Sequence, residues 1–157
     1  MAVNYFLKVD GIEGESVVKG FEKQIQLLSF SWGGSQQSSV GHGGGSGAGK
    51  VDLADFSVMK HFDKASTPMF KALCTGTHIK TGSLAAVKAG ATKAFLQIDM
   101  KELFVTSLQV SASNENPTES VSFSFNEIKT TYSTQNDQGI LTPTASHTYN
   151  TGTGENT

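Results

Sequence analysis

Gly44-x-x-x-x-Gly49-Lys50 is the stretch of this sequence whose spacing imitates a phosphate-binding loop. A working loop of that kind places Ser or Thr directly after the lysine, to ligate Mg²⁺. It also starts a helix there, so that backbone N–H groups and the helix dipole meet the phosphates. Here Val51 follows the lysine, and residues 51–58 open no convincing helix. The glycines therefore read as an interaction arm, because a backbone without Cβ atoms can approach another backbone closely.

The other reactive side chains fail on spacing. His42, His61, His78 and His147 are scattered, and the single cysteine, Cys74, cannot complete a metal-binding set with them. Cys74 with a distant histidine would make a nucleophilic pair, but nothing in the sequence brings the two together. Within Ala72-Leu73-Cys74 it reads as a small buried hydrophobe. Asp52 and Asp55, and Glu13 and Glu15, fall in turns and loops and read as solvated carboxylates. The sequence thus offers no catalytic residues, no cofactor site and no metal site, and is read as a binding or building module, not an enzyme.

Composition narrows the partners. All 12 cations are lysines, without a single arginine, and the net charge is −2. Arginine supplies most bidentate phosphate and guanine contacts, so nucleic acid is not an expected partner. No basic amphipathic segment or long apolar run suggests membrane insertion. Met1-Ala2-Val3-Asn4-Tyr5-Phe6 has neither the charged nor the apolar region of a signal peptide. The expectation is a chain made in a reducing cytoplasm and, if exported, exported without a cleaved signal.

The elements that must carry any site are mostly strands. Val3 to Val9 alternates, with Val3, Tyr5, Leu7 and Val9 on one face and Asn4, Phe6 and Lys8 on the other. Glu22 to Trp32 alternates again: Leu28, Phe30 and Trp32 read as core, and Ile25, Leu27, Ser29 and Ser31 share the wetter face. Residues 33–50 form a long glycine-rich loop. Residues 51–62 fit a helix through Leu53, Phe56, Met59 and Phe62, or a strand through Phe56, Val58 and Lys60; the lack of a cap favours the strand. One short helix is predicted at about residues 67–75. Ser66 or Thr67 is its N-cap, Pro68 its first position and Gly76 its stop, with Met69, Phe70 and Leu73 packing on a sheet.

From Leu84 onward the pattern is strands through Ala94–Met100, Phe104–Ala112 and Ser120–Phe125. Ile128 and Tyr132 follow out of phase, which predicts a bulge near Asn126. Gln135 to Gly139 is a turn, and Thr142 to Tyr149 a last short edge strand. The fold class expected is mainly β, a two-sheet antiparallel barrel or sandwich with one short helix. The 157 residues divide into a single domain over 1–150 and a polar tail, 151–157, expected to fray.

Several ordered pieces resemble the haemolysin-coregulated protein (Hcp) family. They are Tyr5-Phe6-Leu7-Lys8-Val9-x-Gly11-x-x-Gly14-Glu15-Ser16, Ser29-Phe30-Ser31-Trp32-Gly33, Gly43-Gly44-Gly45-Ser46-Gly47-Ala48-Gly49-Lys50-Val51, Asp63-Lys64-Ala65-Ser66-Thr67-Pro68 and Glu119-Ser120-Val121-Ser122-Phe123-Ser124-Phe125-x-x-Ile128. The match runs from near Met1 to about Tyr132 and is least over 140–157. The resemblance implies a two-sheet barrel close to phage tail-tube subunits. It implies assembly into hexameric rings that stack into the inner tube of the type VI secretion system, inside a contractile sheath and behind a spike protein. Effector proteins can ride inside the ring. Export by ejection of the tube into the extracellular space or a target cell fits the expected lack of a signal peptide.

A ring requires one patch to meet a different patch on the neighbour. In the family the loop after the tryptophan strand reaches the adjacent subunit, which here implies interface roles for Val40, His42, Gly43, Gly44, Gly45, Gly47, Gly49 and Lys50. The wet face of the tryptophan strand makes Ser29 and Ser31 candidates to line the lumen. The competing reading is a monomeric ligand-binding β-barrel.

Overall fold

A computed structural model describes residues 2–37 and 50–157. Among the described residues, eleven strands and one helix follow in the order β1 (Val3–Val9), β2 (Ile25–Leu27), β3 (Ser29–Ser31), β4 (Gly34–Ser35), β5 (Asp52–Leu53), β6 (Phe56–His61), α1 (Ser66–Thr75), β7 (Ile79–Lys88), β8 (Leu96–Ser111), β9 (Thr118–Ser124), β10 (Glu127–Gln135) and β11 (Leu141–Asn150). Between residues 51 and 62 the chain forms the strands β5 and β6, as the missing cap predicts.

All pairings are antiparallel. The long β8 belongs to two sheets. Its first half, Leu96–Leu103, lies between β7 and β10, and β2, β1 and β11 extend this first sheet on its two sides. Its second half pairs with β9, which continues through β6 to β3 as the second sheet. The change of partners is built into the backbone. Glu102 sits at φ 60°, and a bulge between Val105 and Ser107 follows it.

The path β2-β1-β7-β8-β9-β6-β3 starts and ends on one stretch of chain. At Leu28 the strand leaves β1 for β6, and the Leu28 N–H donates to the Met59 carbonyl at 2.7 Å. The expected two-sheet barrel or sandwich forms, without closing as a continuous ladder. This crossing corrects the alternation read from the sequence. Ile25 and Leu27 are buried, Leu28 is 49% exposed, and Phe30 and Trp32 return to the core side. The inward face changes phase because the inside of the first sheet and the inside of the second are reached from successive residues.

Leu7, Ile25, Leu84, Ile98 and Met100 from the first sheet meet Phe56, Val58, Val121 and Phe123 from the second in one core. Helix α1 adds Met69 and Ala72 to it. Phe70, expected on that side, is 55% exposed, and Cys74, expected to be buried, is also exposed. Neither Ser66 nor Thr67 caps the helix. Ala65 occupies the cap position, its N–H donates to Asp63 Oδ1 (2.9 Å), and Ser66 is turned inward. Gly76 ends the helix in the left-handed region, φ 63°, as predicted.

A second, smaller cluster lies on the outer face of the first sheet. Phe6 stacks on Phe21 (4.7 Å between centroids, 8° between planes), and Ala85 and Val87 pack with them. Phe21 arrives on the 13–24 loop. That loop is tied to β2 where Gly14, whose Cβ would fall 2.5 Å from the Gln24 carbonyl oxygen, lets two backbones approach.

In place of a bulge near Asn126, β9 ends at Ser124 and β10 starts at Glu127. Asn126 turns the corner between the sheets, its N–H donating to the Lys101 carbonyl. β11 is an edge strand, as expected. Residues 151–157, expected to fray, turn back along it, with Thr157 N–H donating to Thr148 O (2.9 Å) and Asn156 bridging Tyr149.

Candidate functional site

The outward residues of the second sheet line up in cross-strand rows. One row is Ser31, Ser57, Ser122 and Ser107, in which the Ser57 and Ser122 hydroxyls lie 2.9 Å apart. The next is Ser29, Met59, Ser120 and Gln109. The last is His61, Thr118 and Ser111. No lysine, aspartate or glutamate occupies any of these positions. A carboxylate meets the face at the bulge, where the extra residue Thr106 donates to Asp55 Oδ2 at 2.7 Å.

The outward face of the first sheet is built differently. Lys8, Ser83, Asp99 and Lys129 form one row of alternating charge, with Ser83 Oγ donating to Asp99 Oδ1 (2.7 Å), and Lys101 pairs with Glu127 at 3.1 Å. The outer face of the first sheet therefore carries charged rows, whereas the rows of the second are dominated by neutral hydroxyls. Ser29 and Ser31, the lumen candidates, are exposed on the edge strand of the neutral face.

Of the loop candidates, Val40, His42, Gly43, Gly44, Gly45, Gly47 and Gly49 lie outside the described residues. Lys50 is exposed and borders a groove of about 690 Å³ that Trp32, Leu53, Ile128, His147 and Tyr149 also line. The stem of the loop is a two-residue ladder, Gly34 with Leu53 and Ser35 with Asp52. The chain after Lys50 thus enters a strand, and the helix that a phosphate-binding loop requires does not start there.

The described histidines are spread apart. His61 ends the hydroxyl face, His78 pairs with Glu102 and stacks on Phe104 (4.9 Å, 17°), and His147 Nε2 contacts Asn156 Oδ1 at 3.0 Å. Among the described residues no group of three His, Cys, Asp or Glu side chains could hold a metal ion. No helix among them is long and apolar enough to cross a membrane.

The sequence reading missed a buried ion pair. On the inner face of the second sheet the rows run Phe56, Phe123, Val105, then Val58, Val121, Leu108, then Lys60, Glu119, Val110. Lys60 and Glu119 are completely buried, and the Lys60 ammonium meets Glu119 Oε1, Asp63 Oδ1 (2.8 Å), Ser66 Oγ (2.9 Å) and the His61 carbonyl (3.1 Å). Ser66 Oγ donates to Glu119 Oε1 at 2.6 Å, so the pair ties the first turn of α1 to β6 and β9. The signal was present: Lys60 shares the phase of Phe56 and Val58, and Glu119 that of Val121 and Phe123.

Comparison with known proteins covers nearly the whole fold. Residues 6–132 match the family model described as type VI secretion system effector, Hcp. The chain is 36% identical over 143 residues to protein hcp1 of Pseudomonas aeruginosa, covering 88% of each. Among solved structures it is similar to Hcp1 from Salmonella typhimurium, with a TM-score of 0.82 and 29% identity over 100% of both chains. It is also similar to a structure described as a type six secretion system protein, with a TM-score of 0.91 and 25% identity over 99% of this chain and 100% of that one.

Proposed function

This chain belongs to the Hcp family of the type VI secretion system, and on that footing we propose that it is a structural subunit of the secretion tube. Copies assemble into hexameric rings, the rings stack, and the tube carries effector proteins in its lumen before it is expelled with the spike by the sheath. The protein is made in the cytoplasm and leaves the cell by ejection of the tube. Its role is structural and not enzymatic.

The observation that carries this reading is the asymmetry of the two outer faces. A lumen that passes different cargoes must not impose a fixed charge pattern on them, and the serine rows around Ser29 and Ser31 have none. The charged rows of the first sheet suit an outer wall or a subunit contact, where alternating charges set register. We assign the 40–50 segment to the neighbouring subunit, as the family resemblance implies.

Two experiments test this. Deleting Gly43–Gly47 is expected to leave the circular dichroism spectrum of the folded monomer intact and to abolish rings and tubes in electron micrographs. Tubes formed by the deletion variant would refute the interface assignment. Ser31→Gln is expected to keep rings intact while lowering the amount of effector that co-purifies with them, because the longer side chain projects into the channel. Unchanged retention, or a cross-linker at position 31 that reacts only from outside the ring, would remove Ser31 from the lumen.

The groove beside Trp32 and Tyr149 favours the second reading, a monomeric ligand-binding barrel. The two separate on mass in solution: a monomer at working concentration supports the second, a ring the first.

A further inference from the structure

Two large apolar side chains lie on the hydroxyl face. Phe104, at the corner of β8, stacks on the His78 ring beside Glu102 and is 41% exposed. Met59 is exposed to the same degree but sits inside the rows, with Ser29 paired on one side and Ser120 on the other. Ser29 beside it is exposed and Ser120 half-buried, and a hydroxyl's bond to a partner replaces a bond to solvent or to a neighbouring serine, with a net gain of about 1 kcal/mol or less for each. Removing apolar surface from water is the source of affinity that remains. The rows hold no lysine, aspartate or glutamate, and the Asp55 carboxylate at the bulge already accepts from Thr106, so charge contributes little beside Met59.

We propose that Met59 is the cargo-contact residue of this face, and that the partner it fits is a protein presenting an exposed aliphatic or aromatic side chain. The proposal rests on the reading of this face as the lumen of the tube. A thioether on an unbranched, freely rotating stem adapts to side chains of different shape, so the contact selects for apolar character and not for one sequence. A single Met59 contact is weak. A ring repeats it around one channel, and a cargo touching several copies gains by effective concentration without any new kind of contact.

The test uses a neutral, fluorescently labelled Gly/Ser peptide carrying several leucines, and the same peptide with serine at those positions. Both are titrated by anisotropy into whatever assembly the wild-type protein forms, and into Met59→Ser and Met59→Leu. The leucine peptide is expected to bind wild type and Met59→Leu at least about tenfold more tightly than Met59→Ser. That difference should persist when the ionic strength is raised to about 1 M, where charge pairing is screened within roughly 3 Å. Equal binding to wild type and Met59→Ser overturns the proposal, as does wild-type binding that collapses in salt.

A Met59→Cys probe in a Cys74→Ser background separates this outcome from failure of the lumen reading. In intact tubes the thiol should react with N-ethylmaleimide and be shielded from a maleimide on a polymer too large to enter. Ready reaction with the polymer would place Met59 outside the channel, whatever the peptides show.

Discussion

Lys60→Met is expected to destabilise the protein by about 3–5 kcal/mol, read as a lower midpoint in urea unfolding. The methionine fills the space of the lysine stem. What it removes is the ammonium that neutralises Glu119, a carboxylate with no access to water whose Oε2 already has no hydrogen-bond partner. Ser66 alone would remain to donate to Oε1, and an uncompensated buried charge is far more costly than a missing pair. The double variant Lys60→Met, Glu119→Leu is expected to recover most of the loss, because neither charge then needs to be buried. A single variant within about 0.5 kcal/mol of wild type would show that the pair is hydrated in solution, and that α1 is held by Met69 and Ala72 instead.

Phe6→Ala is expected to cost a similar amount, about 3–5 kcal/mol. Phe6 has no exposed surface and fills the small cluster between the outer face of the first sheet and the 13–24 loop. Truncation leaves Phe21 without its stacking partner, so the loop should loosen locally as well. Amide hydrogen exchange checks this. Gly14 and Ser16, whose N–H groups donate to the Lys23 and Gln24 carbonyls, should exchange faster in the variant, while Ile98 and Val121 in the main core keep their protection. A loss below about 1 kcal/mol would mean that the loop closes over the gap, since the cost of a cavity depends on how far its walls collapse.

These two residues also mark where pattern reading stops. Phe6 falls between Asn4 and Lys8 on a strand whose other face is plainly core, so strict alternation sends it to water. It is buried because a loop eighteen residues and less away in sequence folds back over that face, and nothing in a two-residue period announces such a cover. Lys60 and Glu119 have the opposite history. Alternation places both inside, and each is unwelcome there unless it meets the other. Their pairing depends on the register of β6 against β9, which is a long-range fact.

Leu28 shows the same limit at the level of the backbone. One unbroken alternation from Glu22 to Trp32 assumes a single sheet, whereas the strand changes sheets at Leu28 and the inward phase moves by one residue. Phe70 and Cys74 are exposed because α1 buries a narrow stripe, Ser66, Met69 and Ala72, and not the broader side its apolar residues suggest.

By itself the sequence determined the class of fold, the positions of most strands, the helix α1 with its glycine stop and, through five ordered motifs, the family. These depend on periods and punctuation carried within a few neighbouring residues, and local backbone preference is enough to express them. Tertiary structure alone decided that one outer face would be charged and the other a continuous array of serines. Ser31, Ser57, Ser107 and Ser122 are far apart in the chain and become one surface only when four strands pair in register. Side-chain chemistry at one position is local, but a surface is a property of neighbours, and pairing chooses the neighbours.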